Sequence, residues 1–243
     1  MIDIMCVSDE EVFLQNKENR KIDLLISAGD LSPGYLDYLV NEFKPTFSIM
    51  VHGNHDKKFF SKTYEEENYS FSKVYKGIYV LNHGIINLKK FINKDIVVAG
   101  FSGALSYGYR PFHFSENDVQ KFKREIFFKS SFRGNEYKFI DIMVTHNAPY
   151  VKGTIQRYSQ SHPPSINLGK LFYSLRPKIW IYGHIHPRYG QQELDFVIEN
   201  SKHKCYLINA IPYKFIKYDE ENKEVVEIET FKRIEPKLVL INQ

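Results

Sequence analysis

The chain has 243 residues, 43% of them hydrophobic, 15% aromatic and 26% charged, with a net charge of +4. That length and balance belong to a globular chain with a sizeable core, read as one domain over residues 1–243. The mild positive charge suits anionic ligands but falls short of a nucleic-acid-binding stripe, and no apolar run approaches the roughly 18 residues of a membrane span.

Ile2 to Val7 reads as a first strand, ending at Ser8-Asp9-Glu10-Glu11. It follows no basic stretch and apolar signal core, so a cytoplasmic location is expected. Cys6 and Cys205 lie inside apolar runs, as buried thiols in a reducing compartment do. Leu24 to Ala28 is a second strand, ending at Gly29-Asp30. Ser32-Pro33-Gly34 then opens a helix, with Ser32 as N-cap and Pro33 at the first helical position. Its apolar face is Tyr35, Leu36, Leu39, Val40 and Phe43, spaced for packing on a sheet. Phe47 to Val51 is the third strand, so the start of the chain has β-α-β character and predicts a mainly parallel sheet.

Lys57 to Ser72 is polar, charged and aromatic and reads as a surface excursion. Ile78 to Leu81, Ile85 to Phe91 and Ile96 to Ala99 read as short strands, followed by a Tyr- and Arg-containing loop to His113. Ser115-Glu116-Asn117-Asp118 resembles a capping box, with a helix to about Phe128. Ile140 to Val144 is a buried strand ending at Thr145-His146, and Ile166 to Leu175 is a helix stopped by Arg176-Pro177. Lys178 to Tyr182 is a strand ending at Gly183-His184-Ile185-His186. Lys204 to Ile211, Lys214 to Tyr218 and Val225 to Thr230 read as antiparallel strands, the last two joined by a turn at Glu220-Glu221-Asn222.

Five strand ends therefore carry residues able to hold a metal: Asp9 with Glu11, Asp30, Asn54 with His55, His146, and His184 with His186. Gly29, Gly53 and Gly183 introduce three of these groups. Residues two apart in an extended segment point the same way, which pairs Asp9 with Glu11 and His184 with His186. Carboxylates, a carboxamide oxygen and imidazoles suit divalent ions such as Mn, Fe or Zn. The donors exceed the need of one ion, and two ions sharing Asp30 would use them fully. In Gly53-Asn54-His55-Asp56, the aspartate is placed to orient the imidazole of His55.

This ordered set resembles the calcineurin-like metallophosphoesterase superfamily. Its pattern runs Asp-x-His, Gly-Asp, Gly-Asn-His-Asp or -Glu, a lone His and Gly-His-x-His, each after a strand. The resemblance covers residues 1 to about 190 and falls on Asp9, Asp30, Asn54, His55, His146, His184 and His186. It implies an α/β fold of four layers, α/β/β/α, with two mixed sheets flanked by helices. It also implies that Asp9, the residue at position 11, Asp30 and His186 hold one divalent ion. Asp30, Asn54, His146 and His184 would hold the other. Where the family has the histidine of Asp-x-His, this chain has Glu11, which is favoured here as a ligand over the alternative that it points away.

The implied activity is hydrolysis of a phosphate ester by a hydroxide shared between the two ions. His55 would protonate the leaving oxygen, with Asp56 fixing its tautomer. Phosphodiesters are somewhat preferred over monoesters. A phosphomonoesterase, of small molecules or proteins, and a non-catalytic metal-binding scaffold of the same fold are the alternatives. His162, Arg110 and His113 lie in loops expected to border the cleft, as candidate substrate contacts, and His52, His83 and His203 are read as structural. No membrane partner is expected, and no nucleic acid beyond a small nucleotide substrate. Exposed aromatics on a mildly charged surface make a homodimer an expectation.

Overall fold

The computed structural model describes residues 1–17, 19–56, 74–105, 112–132, 139–155, 162–186, 194–201, 203–230 and 237–241. Its elements in chain order begin with β1 (Ile2–Val7), β2 (Leu24–Ser27), α1 (Pro33–Phe43) and β3 (Phe47–Met50). Next come β4 (Val74–Tyr75), β5 (Ile78–Val80), β6 (Gly84–Asn87), α2 (Lys89–Ile92), β7 (Val97–Phe101), β8 (Ala104–Leu105), β9 (His113–Phe114) and α3 (Glu116–Phe132). The remainder comprises β10 (Ile142–Thr145), α4 (Ile166–Leu175), β11 (Ile179–Tyr182), β12 (Phe196–Asn200), β13 (His203–Asn209), β14 (Tyr213–Asp219), β15 (Glu224–Thr230) and β16 (Lys237–Leu240).

The strands form two mixed sheets, ordered β15-β14-β1-β2-β3-β5-β4 and β16-β12-β13-β11-β10-β7-β6, with β8 and β9 as a separate ribbon. Strand alternation builds the layers. Ile4 and Cys6 of β1, Leu24 and Ile26 of β2 and Ile49 of β3 face Val98, Ile142, Val144, Ile179 and Ile181 in one core between the sheets. The intervening residues Met5, Val7, Leu25 and Met50 turn the other way, onto Leu36, Leu39 and Phe43 of α1. On the far side, Ala99, Met143, Trp180 and Leu207 pack under Val119, Phe122 and Ile126 of α3 and Leu168, Leu171 and Phe172 of α4. Each fully buried Val, Leu, Ile, Met or Phe among them contributes about 1.5–3 kcal/mol. The result is the expected four-layer α/β/β/α sandwich.

Helix ends follow the sequence closely. Ser32 accepts the Tyr35 N–H at α1, Pro33 occupies its first turn, and left-handed Lys44 ends it. At α4, Ser165 accepts the Leu168 N–H, and the Glu116 carboxylate takes the Ile166 and Asn167 N–H groups at 2.8 Å. That carboxylate fastens α3 to the start of α4. α3 runs to Phe132, one turn beyond the expected end.

Several elements differ from expectation. The strand predicted over Ile85 to Phe91 stops at Asn87, whose side-chain oxygen accepts the Lys89 N–H at 2.9 Å and turns the chain into α2. β12, antiparallel to β13, and β16, parallel to β12, were not anticipated. The turn after β14 is as expected, made by Asp219 Oδ1 accepting the Glu221 and Asn222 N–H groups. The excursion from Lys57 lies outside the described residues. Among the described residues no helix is long and apolar enough to cross a membrane.

Candidate metal centre

β1, β2 and β3 are mutually parallel, as are β10 and β11 in the other sheet. Their C-terminal ends meet at one edge of the sandwich, where open α/β sheets place ligands. Two glycines permit close approach there, Gly53 between neighbouring strand ends of one sheet and Gly183 between the two sheets. A Cβ on Gly53 would overlap Asp30 Oδ1, and one on Gly183 would overlap Ser8 Oγ and Asp9 Oδ2. Asp9 (φ 60), Asp30 (φ 58) and His184 (φ 66) all take left-handed backbone conformations, which cost about 1–2 kcal/mol each. At Asp9 and His184 the chain closes the same three-residue turn, Glu10 N–H to Ser8 O at 2.6 Å and Ile185 N–H to Gly183 O at 2.7 Å. Strain of this kind is concentrated where side chains must be aimed.

The turns bring donors from four strand ends together. One ligand atom each from Asp30, His146 and His184 lies within 4.8 Å of the others. His146 is fully buried; its Nδ1 stands 2.8 Å from Ala28 O, which fixes the ring across the gap between the sheets. Its Nε2 then lies 3.1 Å from Asp30 Oδ2 and 3.0 Å from Asn54 Oδ1. Asp30 Oδ1 accepts the His55 N–H at 2.7 Å. Beside this group, His186 Nε2 is 3.3 Å from Asp9 Oδ1, and Asp9 Oδ2 accepts the His184 N–H at 2.9 Å and the Ser8 hydroxyl. His162 packs edge-on against His184 with ring centroids 4.4 Å apart.

The electrostatics divide the imidazoles into two kinds. Burial would drive His146 neutral, but the Asp30 and Asp9 carboxylates outweigh it and push its pKa up to about 10. Burial likewise works against the Asp30 carboxylate, yet His146 and the His55 N–H hold it well below the usual range. His186 is raised by its hydrogen bond to Asp9. His184 and His162 move the other way, lowered first by burial and then by neighbouring imidazoles. A buried carboxylate that demands a positive partner, ringed by a second carboxylate, a carboxamide oxygen and imidazole nitrogens, is a donor set that fits divalent ions of borderline hardness.

Several expected site residues lie elsewhere. Glu11, favoured as a ligand, is exposed, and its Oε1 accepts the Ser32 N–H at 2.7 Å at the mouth of α1. The expectation assumed an extended segment from Asp9 to Glu11. Left-handed Asp9 breaks that alternation, and Glu10 is the residue delivered to the site, with Oε1 3.2 Å from His186 Nδ1. Asp56 also corrects the reading. It is wholly buried, and its Oδ2 accepts the Gly53 and Asp30 N–H groups at 2.9 and 3.1 Å. The imidazole beside it is His52, with Nδ1 3.8 Å away, and not His55. His55 itself is exposed and electrostatically coupled to Asp30, His162 and His184. His113 sits in the ribbon strand β9, paired with Ala104. Arg110, with Tyr107 and Tyr109, lies outside the described residues.

Glu10 is the residue the sequence reading passed over. A carboxylate on one ring nitrogen of a histidine whose other nitrogen faces the site fixes tautomer and orientation, and losing such a partner typically weakens metal binding about 10–100-fold. Glu10→Gln should therefore weaken Mn²⁺ binding about tenfold in equilibrium dialysis. Glu11→Ala should leave binding unchanged and lower stability by about 1 kcal/mol through the lost acceptor of the Ser32 N–H. The reverse pattern would return the ligand role to Glu11.

Comparison with known proteins gives the arrangement its context. No curated protein matches the chain in sequence. Among solved structures, TT1561 of Thermus thermophilus aligns with a TM-score of 0.55 at 13% identity, over 94% of this chain and 98% of its own. The phosphopantetheinyl hydrolase of Mycobacterium tuberculosis aligns at 0.44 and 14% identity, over 85% and 88%. The first of these likenesses shows a shared fold. The family model for calcineurin-like phosphoesterases matches residues 8–188, a span that begins at the Ser8-Asp9 turn and takes in every strand end that bears on the cluster, and by that match the chain belongs to the calcineurin-like phosphoesterases.

Proposed function

We propose that the protein is a metal-dependent phosphoric ester hydrolase with two divalent ions, acting on phosphodiesters in preference to monoesters. The observation that carries this reading is the convergence of Asp30, His146 and His184 within 4.8 Å at the sheet edge, with Asp9 and His186 alongside. Asp30, Asn54, His146 and His184 would hold one ion, and Asp9 and His186 with Asp30 the other. Ions bound there supply Lewis acidity to a phosphoryl group and lower the pKa of water.

The remaining chemistry falls to this chain's own groups. The His55 backbone is anchored on Asp30 while its side chain is exposed, so the imidazole is available to a leaving oxygen, and we assign it the proton transfer there. His162, edge-on to His184 and with its pKa lowered by burial, is assigned contact with a phosphoryl oxygen. The assay compares bis(p-nitrophenyl) phosphate with p-nitrophenyl phosphate after chelator treatment and again with added Mn²⁺. Turnover restored by Mn²⁺ and faster on the diester is expected; turnover indifferent to the chelator would sink the proposal.

One observation favours a second reading. With Glu11 engaged at Ser32, the half of the centre around Asp9 has fewer donors than the half around Asp30. A protein with one bound ion per chain and no esterase activity would establish the scaffold instead.

A further inference from the structure

The segment from Asn209 to Lys214, from the last residue of β13 into the start of β14, contributes no residue to the five strand ends, yet it underlies two of them. Pro212 O accepts the Ser8 N–H at 3.4 Å beneath the Asp9 turn. Asn209, 1% exposed, donates its side-chain N–H to Ile185 O at 3.0 Å. Ile185 is the residue between His184 and His186, inside the strained turn that aims both rings. We infer that Asn209 is a positioning residue for His184 and His186, held in place by a largely buried Asp195–Lys214 pair. This inference rests on the metal-centre reading above.

Every polar group of Asn209 is committed. Its backbone N–H donates to Asp195 Oδ1 at 2.9 Å, its side-chain oxygen accepts the Ile211 N–H at 3.0 Å, and its carbonyl accepts Lys214 Nζ. Lys214 is 5% exposed, and its Nζ stands 3.3 Å from Asp195 Oδ2. Lys214 belongs to the sheet of β1, where it pairs with Cys6, whereas Asn209 ends β13 beside β11 and Asp195 immediately precedes β12 of that same sheet, so the network ties the two sheets at the ligand-bearing edge. A buried ion pair adds little net stability over an apolar pair of similar size. What it does add here is a single orientation for the amide that reaches Ile185. With Asn209 fixed on three sides, the Ile185 carbonyl is fixed, and the two histidines on either side of it keep their spacing.

Asn209→Asp tests this directly. The substitution is isosteric and keeps the acceptor for the Ile211 N–H, but it sets an oxygen against Ile185 O. Mn²⁺ binding is measured by equilibrium dialysis on wild type, Asn209→Asp and Tyr218→Phe, each checked for folding by circular dichroism. Tyr218 donates to Asp141 at the opposite end of β1, in register with Ile2, and serves as a destabilised control. At least about tenfold weaker binding in Asn209→Asp, with Tyr218→Phe like wild type, is the expected result. Equal affinity in wild type and Asn209→Asp, or the same loss in Tyr218→Phe, overturns the positioning role alone. Absence of Mn²⁺ binding in wild type overturns the metal-centre reading and this inference with it. Should Asn209→Asp not fold, Asp195→Asn is read the same way: it keeps the acceptor for the Asn209 N–H and removes the charge facing Lys214. An affinity within about twofold of wild type would then overturn the inference.

Discussion

His146→Ala is expected to abolish the stabilisation of the protein by Mn²⁺ and to reduce metal-dependent turnover by more than about a hundredfold, beyond the range for outer-shell partners. The size of the effect follows from where the ring sits. His146 leaves the end of β10, is wholly buried, and is held at Nδ1 by the carbonyl that ends β2. Its Nε2 meets Asp30 and Asn54, which arrive on β2 and β3 from the other sheet. In wild type, Mn²⁺ at about 100 times its dissociation constant should add about 2.7 kcal/mol. For a domain of this size that is a rise of about 5–10 °C in melting temperature. Without His146 the rise should vanish. The metal-free variant should also melt below the metal-free wild type, since Asp30 loses the cation that offsets its burial and keeps only the His55 N–H. Thermal melts with and without Mn²⁺, paired with turnover of the diester, check both halves. A variant that keeps the full Mn²⁺-induced rise shows that the ion is held elsewhere.

The parts of the site legible in the sequence are those fixed by strand direction. An apolar run that ends in Gly-Asp, Gly-Asn-His or Gly-His-x-His exposes its last residues at the sheet edge, and parallel strands put those ends on the same side. Asp30, Asn54, His146, His184 and His186 follow from that logic, and the structure gathers them. The errors came from the turns. Alternation chose Glu11 as the companion of Asp9, but alternation holds only in extended backbone, and Asp9 at φ 60 is not extended. Aspartate is among the residue types that enter the left-handed region, but its type alone does not say which aspartate does so. Adjacency gave Asp56 to His55, whereas the turn after β3 folds Asp56 back under Gly53 and beside His52, four residues earlier. β12 was passed over although Phe196 and Ile198 are buried in strict alternation. Its signal is short and sits beside a charged stretch. Asn209 was invisible for a different reason: a buried asparagine declares its role only through its partners.

Asp56→Ala should destabilise the protein by about 4 kcal/mol, because it strips the acceptor from two backbone N–H groups at about 1–3 kcal/mol each. That corresponds to a fall of roughly 10 °C in melting temperature. The two groups are those of Gly53 and Asp30, so one carboxylate pins the turn after β3 to the turn after β2. Losing it should therefore loosen Asp30 and Asn54 together and weaken Mn²⁺ binding as well as stability. Asp56→Asn separates this role from an action through His55. The amide oxygen can accept both N–H groups as Oδ2 does, while Oδ1, the atom the amide nitrogen would replace, has no hydrogen-bond partner among the described residues. Burial also raises the Asp56 pKa, so its ionised form at neutral pH carries a cost that the amide lacks. Asp56→Asn should thus keep its melting temperature, its metal and most of its turnover. If it kept the first two and lost turnover, the carboxylate would be acting on an imidazole in the reaction, and its grip on the two turns would be incidental.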